Sequence, residues 1–115
     1  MIVINAKERH VYEVNIHPSK YLSVMQNAVE GYIEAAMVIK QAKEKTDDLY
    51  VNEEGLLKSF TYGFGILGAQ QTYFTGNGVI AATDNDGETV STDLDVNDIK
   101  KLITFYDNER TTVTH

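Results

Sequence analysis

The chain contains no cysteine, which excludes disulfides, thiolate nucleophiles and cysteine-ligated zinc. Such a chain suits a reducing compartment. Arginine occurs only at Arg9 and Arg110, and 10 basic residues face 17 acidic ones for a formal net charge of −7. A protein that grips nucleic acid over its whole surface shows the opposite balance, because phosphate neutralisation drives that affinity. Direct nucleic-acid binding is therefore not expected. The acidity leaves solubility, a basic protein partner, or imitation of the charge of DNA. No apolar run approaches the length of a membrane span. The short apolar run Met1 to Asn5 precedes Lys7-Glu8-Arg9, the reverse of a secretory signal. A soluble, cytoplasmic protein with no membrane association is expected.

Catalytic sets are missing as well. The histidines are His10, His17 and His115, and none is spaced as a metal-binding pair or as part of a Ser-His-Asp arrangement. No serine sits in a glycine elbow. Glu53-Glu54 and Asp93/Asp95 read as a solvated turn and a helix cap rather than two carboxylates facing one cleft. Asp84-Asn85-Asp86-Gly87 reads as a hairpin turn; Ala82 stands where a calcium loop needs its first oxygen ligand. No enzyme, metal or cofactor is expected.

What is present fits one domain, residues 1–115. Ile2-Val3-Ile4 reads as a strand, Lys7-Glu8-Arg9 as a turn, and His10 to Ile16 as an antiparallel return with Tyr12, Val14 and Ile16 on its apolar face. The single proline, Pro18, suits a helix start. Tyr21, Leu22, Met25, Ala28 and Val29 then follow at helical spacing, so a helix is predicted over 18–30 with Gly31 as its stop. Tyr32 to Ile39 reads as a strand with Ile33, Ala35, Met37 and Ile39 on one face. Lys40 to Asp48 reads as a charged loop or short helix, Leu49 to Asn52 as a strand, Asn52 to Gly55 as a turn, and Leu56 to Thr61 as a returning strand. Val79 to Thr83 and Glu88 to Thr92 form a hairpin about Asn85-Asp86-Gly87. Asp95 caps a last helix whose buried stripe is Val96, Ile99, Leu102, Ile103 and Tyr106; Arg110 to His115 is expected to fray. The pattern predicts an α+β fold, with a mainly antiparallel or mixed sheet and two helices packed on one face.

The segment Tyr62 to Gly78 holds five of the eight glycines, namely Gly63, Gly65, Gly68, Gly76 and Gly78. Gly63 to Gly68 matches G-x-G-x-x-G, but no second βαβ unit fits around it. The segment reads instead as a lid over a ligand or an arm exchanged between protomers. Tyr62, Phe64, Tyr73 and Phe74 are placed either to stack on a nucleobase or to fill a core or oligomer interface.

Three blocks resemble a family of small bacteriophage proteins known as a domain of unknown function. They are Gly31-Tyr32-Ile33-Glu34, Asn52-Glu53-Glu54-Gly55-Leu56-Leu57, and Gly78-Val79-Ile80 through Asp84-Asn85-Asp86-Gly87-Glu88 to Asp98-Ile99. Lys58 to Gly76 departs from the usual pattern of that family. The resemblance extends to phage anti-CBASS proteins, which sponge cyclic nucleotide signals without cleaving them. It implies a homo-oligomer, a dimer or tetramer, with a cyclic dinucleotide such as 3′3′-cGAMP as ligand. The residues compatible with such a site are the rings of Tyr12, Tyr62, Phe64 and Tyr73 and the amides of Asn52, Gln70, Gln71 and Asn77. Lys58 and Arg9, with Arg110, are the cations that would meet phosphate. An acidic DNA-mimic inhibitor of a host protein is the alternative, and a scaffolding role in the phage is a third reading.

Overall fold

A computed structural model describes residues 1–55, 57–68 and 73–107. The first hairpin forms, with β1 (Ile2–Asn5) antiparallel to β2 (His10–Glu13) and Val3 opposite Tyr12, but the returning strand stops at Glu13 rather than running to Ile16. A single 3-10 turn, Pro18–Lys20, leads into α1 (Tyr21–Val29), so proline starts the helical region and the α-helix proper begins three residues later. Then follow β3 (Ile33–Gln41), β4 (Lys45–Asn52), β5 (Tyr62–Ile66), β6 (Tyr73–Thr75), β7 (Gly78–Asp84), β8 (Thr89–Val90), α2 (Val96–Leu102) and β9 (Ile103–Asp107).

The strands form two antiparallel sheets, which makes this an α+β fold with a mainly sheet core. The larger sheet runs β2-β1-β7-β4-β3, with β8 beside β1 on the same edge of β7. The smaller runs β6-β5-β9. Side chains on a strand alternate between faces, so β1 and β7 serve two cores at once. Ile2, Ile4, Leu49 and Ile80 face the second sheet and α2, where they meet Phe64, Phe74 and Ile99. Val3, Val79 and Ala81 face α1, where they meet Tyr21, Met25 and Val29. The two helices, expected together, thus lie on opposite faces.

Four further expectations give way, each for a local reason. The charged run 40–48 is not a loop or helix from end to end: β4 begins at Lys45 and buries Asp47, whose carboxylate accepts the Thr92 hydroxyl. Leu57 to Thr61 forms no strand. The turn bonds continue there, from the Leu57 and Lys58 N–H groups to the Glu54 carbonyl; Leu56 lies outside the described residues. On β3, register shifts between Ala35 and Met37 and between Val38 and Lys40 break the alternation. Ala36, Met37 and Ile39 therefore turn to the core while Ala35 stays exposed. The last helix stops at Leu102, because Ile103–Asp107 are β-branched and aromatic residues with a strand to join, pairing along Tyr62–Ile66. The expected fraying of 110–115 lies outside the described residues.

The glycine-aromatic segment is neither a lid nor an arm where it is described. Gly63 to Ile66 lie in β5, hydrogen-bonded to β6 on one side and β9 on the other. Phe64 is fully buried and stacks on Phe74 with ring centroids 5.4 Å apart. Its ring lies over Gly78, where a Cβ would stand 2.6 Å from Phe64 Cζ and 3.1 Å from Leu49 Cδ1.

Asp48 carries a raised pKa, first from desolvation and second from the neighbouring Asp47 charge. A carboxyl raised in the native state opposes folding once it ionises, and that penalty is fully relieved only where both states are protonated. Asp48→Asn should therefore raise the melting temperature at neutral pH. The gain should shrink as pH falls through the raised native pKa and vanish below about 4, where the unfolded carboxylate also protonates. Phe64→Ala should cost about 3–5 kcal/mol in urea unfolding, and Gly78→Ala about 1–3 kcal/mol through overpacking.

Candidate functional site

The C-terminal end of α1 is held by two buried asparagines. Asn52, at the end of β4, donates from Nδ2 to the carbonyls of Val29 (3.0 Å) and Glu30 (3.3 Å). Its Oδ1 accepts the Glu54 N–H at 2.8 Å. Helix ends leave such carbonyls without intrahelical partners, and here a side chain from the sheet supplies the donor. The left-handed cap is Glu30, with φ 62°, and not Gly31. Glycine is needed at 31 for another reason: a Cβ there would stand 2.6 Å from Asn52 Nδ2.

Asn77 plays the matching role at the other side of the helix end. Its Oδ1 accepts the N–H groups of Ala6 (2.7 Å) and Lys7 (3.2 Å), and its Nδ2 donates to the Ala28 carbonyl (3.0 Å). Asn77 thereby ties the β1–β2 turn to α1. Glu30 is tied in turn to the second sheet, since the Tyr62 hydroxyl donates to its carboxylate. Burial, and then that hydrogen bond and the Glu30 charge, push the Tyr62 hydroxyl well above its ordinary range.

Between α1 and the β1–β2 hairpin lies an open cleft of about 440 Å³. Tyr12, Lys7, Asn5, Asn27, Ala28 and Glu30 are among its walls. Tyr12 is half-buried and stacked on His10, ring centroids 5.0 Å apart. Val24, Asn27 and Ala28 reach the cleft together because residues three and four apart share a helix face. A further shallow cleft, of about 410 Å³, adjoins Asn27 and Glu30 and extends to the exposed Tyr32. The arrangement offers an aromatic face, an ammonium group, a carboxylate and side-chain amides to a small polar ligand.

A family model described as a domain of unknown function, DUF3846, matches residues 1–104. The chain belongs to that family. No curated protein and no solved structure matches it. The matched span contains every residue of both clefts.

Few of the sequence-derived site residues meet there. Tyr12 and Asn77 reach the larger cleft, but Asn77 is spent on backbone bonds. Asn52 is likewise committed, so neither amide is available to read a base edge. Phe64 is core and cannot stack on a ligand. Tyr62 is engaged with Glu30. Tyr73 lies on β6, exposed and edge-on to Tyr106. Arg9 pairs with Asp107 at 2.7 Å, and Lys58 is exposed beyond the turn that follows β4. Gln70, Gln71 and Arg110 lie outside the described residues. Lys7, Asn5 and Asn27 were missed; only the shared face of Val24, Asn27 and Ala28 was readable beforehand.

Among the described residues, no three histidine, aspartate or glutamate side chains cluster to hold a metal, and no helix is long and apolar enough to cross a membrane. Asp84 Oδ1 accepts the Asp86 and Glu88 N–H groups, as a hairpin turn requires. His17 Nδ1 lies 2.9 Å from Ser19 Oγ and accepts the Ser19 N–H, which makes this pair the cap of the 3-10 turn.

Asn52→Ala and Asn77→Ala should each cost about 2–3 kcal/mol in denaturant unfolding, because buried backbone groups lose their partners. Asn52→Asp should cost more, since it turns an acceptor toward two carbonyls.

Proposed function

We propose that this chain is a phage immune-evasion protein that binds and sequesters a cyclic dinucleotide signal without cleaving it. The observation that carries the reading is the cleft beside α1, where the Tyr12 ring and the Lys7 ammonium group flank one concave surface. A base can stack on the first and a phosphate can meet the second. The sequence resemblance to nucleotide sponges points the same way. The cleft is open, so a second protomer closing over it gives the homo-oligomer that resemblance implies. The His17–Ser19 contact serves to cap the 3-10 turn.

Calorimetric titration with 3′3′-cGAMP and a panel of cyclic nucleotides tests this, followed by release and chromatography of the ligand. Tight binding is expected, with the ligand recovered intact. Tyr12→Ala should weaken binding by about tenfold or more, the usual worth of one stacked base, measured well below the melting temperature of the variant, which loses packing against the α1-side core. Absence of binding to every member of the panel overturns the reading, and an altered ligand makes the protein an enzyme.

A second reading, an acidic DNA mimic that inhibits a host protein, is favoured by the exposed carboxylates of Glu53, Glu54, Asp93 and Asp95. Neutralising all of them should abolish salt-sensitive capture of a basic, DNA-competed partner while leaving dinucleotide binding unchanged.

A further inference from the structure

A second groove, of about 480 Å³, shares no wall with the cleft beside α1. It runs between β3 and β6, closed at one end by the turn after β4. These strands are the outermost described members of the larger and smaller sheets, and among the described residues β3 has no ladder partner on its outer side. Ala35, Val51, Leu57 and Tyr73 give the groove apolar surface, with Leu57 84% exposed. Glu34, Glu53 and Glu54 add carboxylates, and no lysine or arginine lines it.

We propose that this groove binds an extended, lysine- or arginine-bearing segment of a partner protein. The argument rests on neither reading of the preceding section. An unpaired strand edge hydrogen-bonds an extended backbone, and alternate side chains of the added strand then point to opposite sides. Here one set would meet Leu57 and Tyr73, and the other the three glutamates. The same carboxylates repel an anionic nucleotide. A second copy of this chain is disfavoured as the occupant, because the register shifts between Ala35 and Met37 and between Val38 and Lys40 interrupt the β3 edge. Bulges of this kind discourage edge-to-edge pairing along a whole strand. They leave the stretch at Ile33–Ala35, at the groove, for a short added strand.

The test uses the full chain and a fluorescein-labelled peptide of alternating lysine and valine, about eight residues long, enough for a typical strand. Fluorescence anisotropy should show saturable binding. The triple variant Glu34→Lys/Glu53→Lys/Glu54→Lys should weaken it by about tenfold or more, as expected when an interface charge pattern is reversed. Leu57→Ser should weaken it severalfold, whereas Tyr12→Ala and Asp93→Asn/Asp95→Asn should not. Amide shifts on peptide addition should centre on β3 near Glu34 and on β6. No binding, equal binding of an oligolysine without valine, or affinity unchanged by the charge reversal would each overturn the proposal. If the triple variant folds poorly, Leu57→Ser and the amide map decide the matter alone.

Discussion

The packing of Phe64 against Gly78 is the contact on which the rest of the architecture depends. A fully buried phenyl ring from β5 lies on the bare backbone of β7, the strand that β1, β4 and β8 all join. That contact sets the distance between the two sheets. It also fixes where β9 must run, since Phe64 stands opposite Phe105 in the ladder. α2 then has no freedom, because it joins β8 on one sheet to β9 on the other and buries Ile99 in the same core. The groove between β3 and β6 follows from this arrangement as well. Two sheets clamped at their centres leave their outer edges facing each other with space between.

The polar side of the structure follows one rule: among the described residues, each buried side-chain nitrogen and oxygen has a hydrogen-bond partner. Asn52 and Asn77 take the helix-end carbonyls that α1 cannot satisfy itself, and Asp47 takes the Thr92 hydroxyl. Such bonds add modestly to stability when made and cost far more when broken. They therefore act mainly on specificity, holding α1 at one height on the sheet. The cleft beside α1 inherits its shape from them, because its floor is the junction that Asn77 closes.

Charge divides the surface into two unlike regions. The cleft beside α1 sets one ammonium group and one carboxylate, Lys7 and Glu30, against an aromatic wall. The groove between the sheet edges holds three glutamates and no cation. A net charge of −7 gives no hint of this division.

Much of the local structure was legible from the sequence. Alternation about Tyr12, helical spacing from Tyr21 to Val29, the Asn85-Asp86-Gly87 turn and the Asp95 cap depend on neighbours along the chain, and each forms where the pattern places it. The α+β class was determined at that level too, whereas a mixed sheet stayed open there and the described strands pair antiparallel throughout. Tertiary structure decided the remainder. Asp47 belongs to a charged run yet is buried, because the hydroxyl of Thr92, distant in sequence, donates to it. Ile103 to Asp107 continue a helical pattern yet form a strand, because β5 offers an unpaired edge. Phe64, Asn52 and Asn77 looked like ligand-reading residues because aromatic rings and amides serve cores, caps and ligands alike. Only the partners each side chain meets separate those uses, and such partners come from elsewhere in the chain. The physical reason is range: propensity and turn chemistry act over a few residues, whereas burial and hydrogen-bond satisfaction are settled by the whole fold.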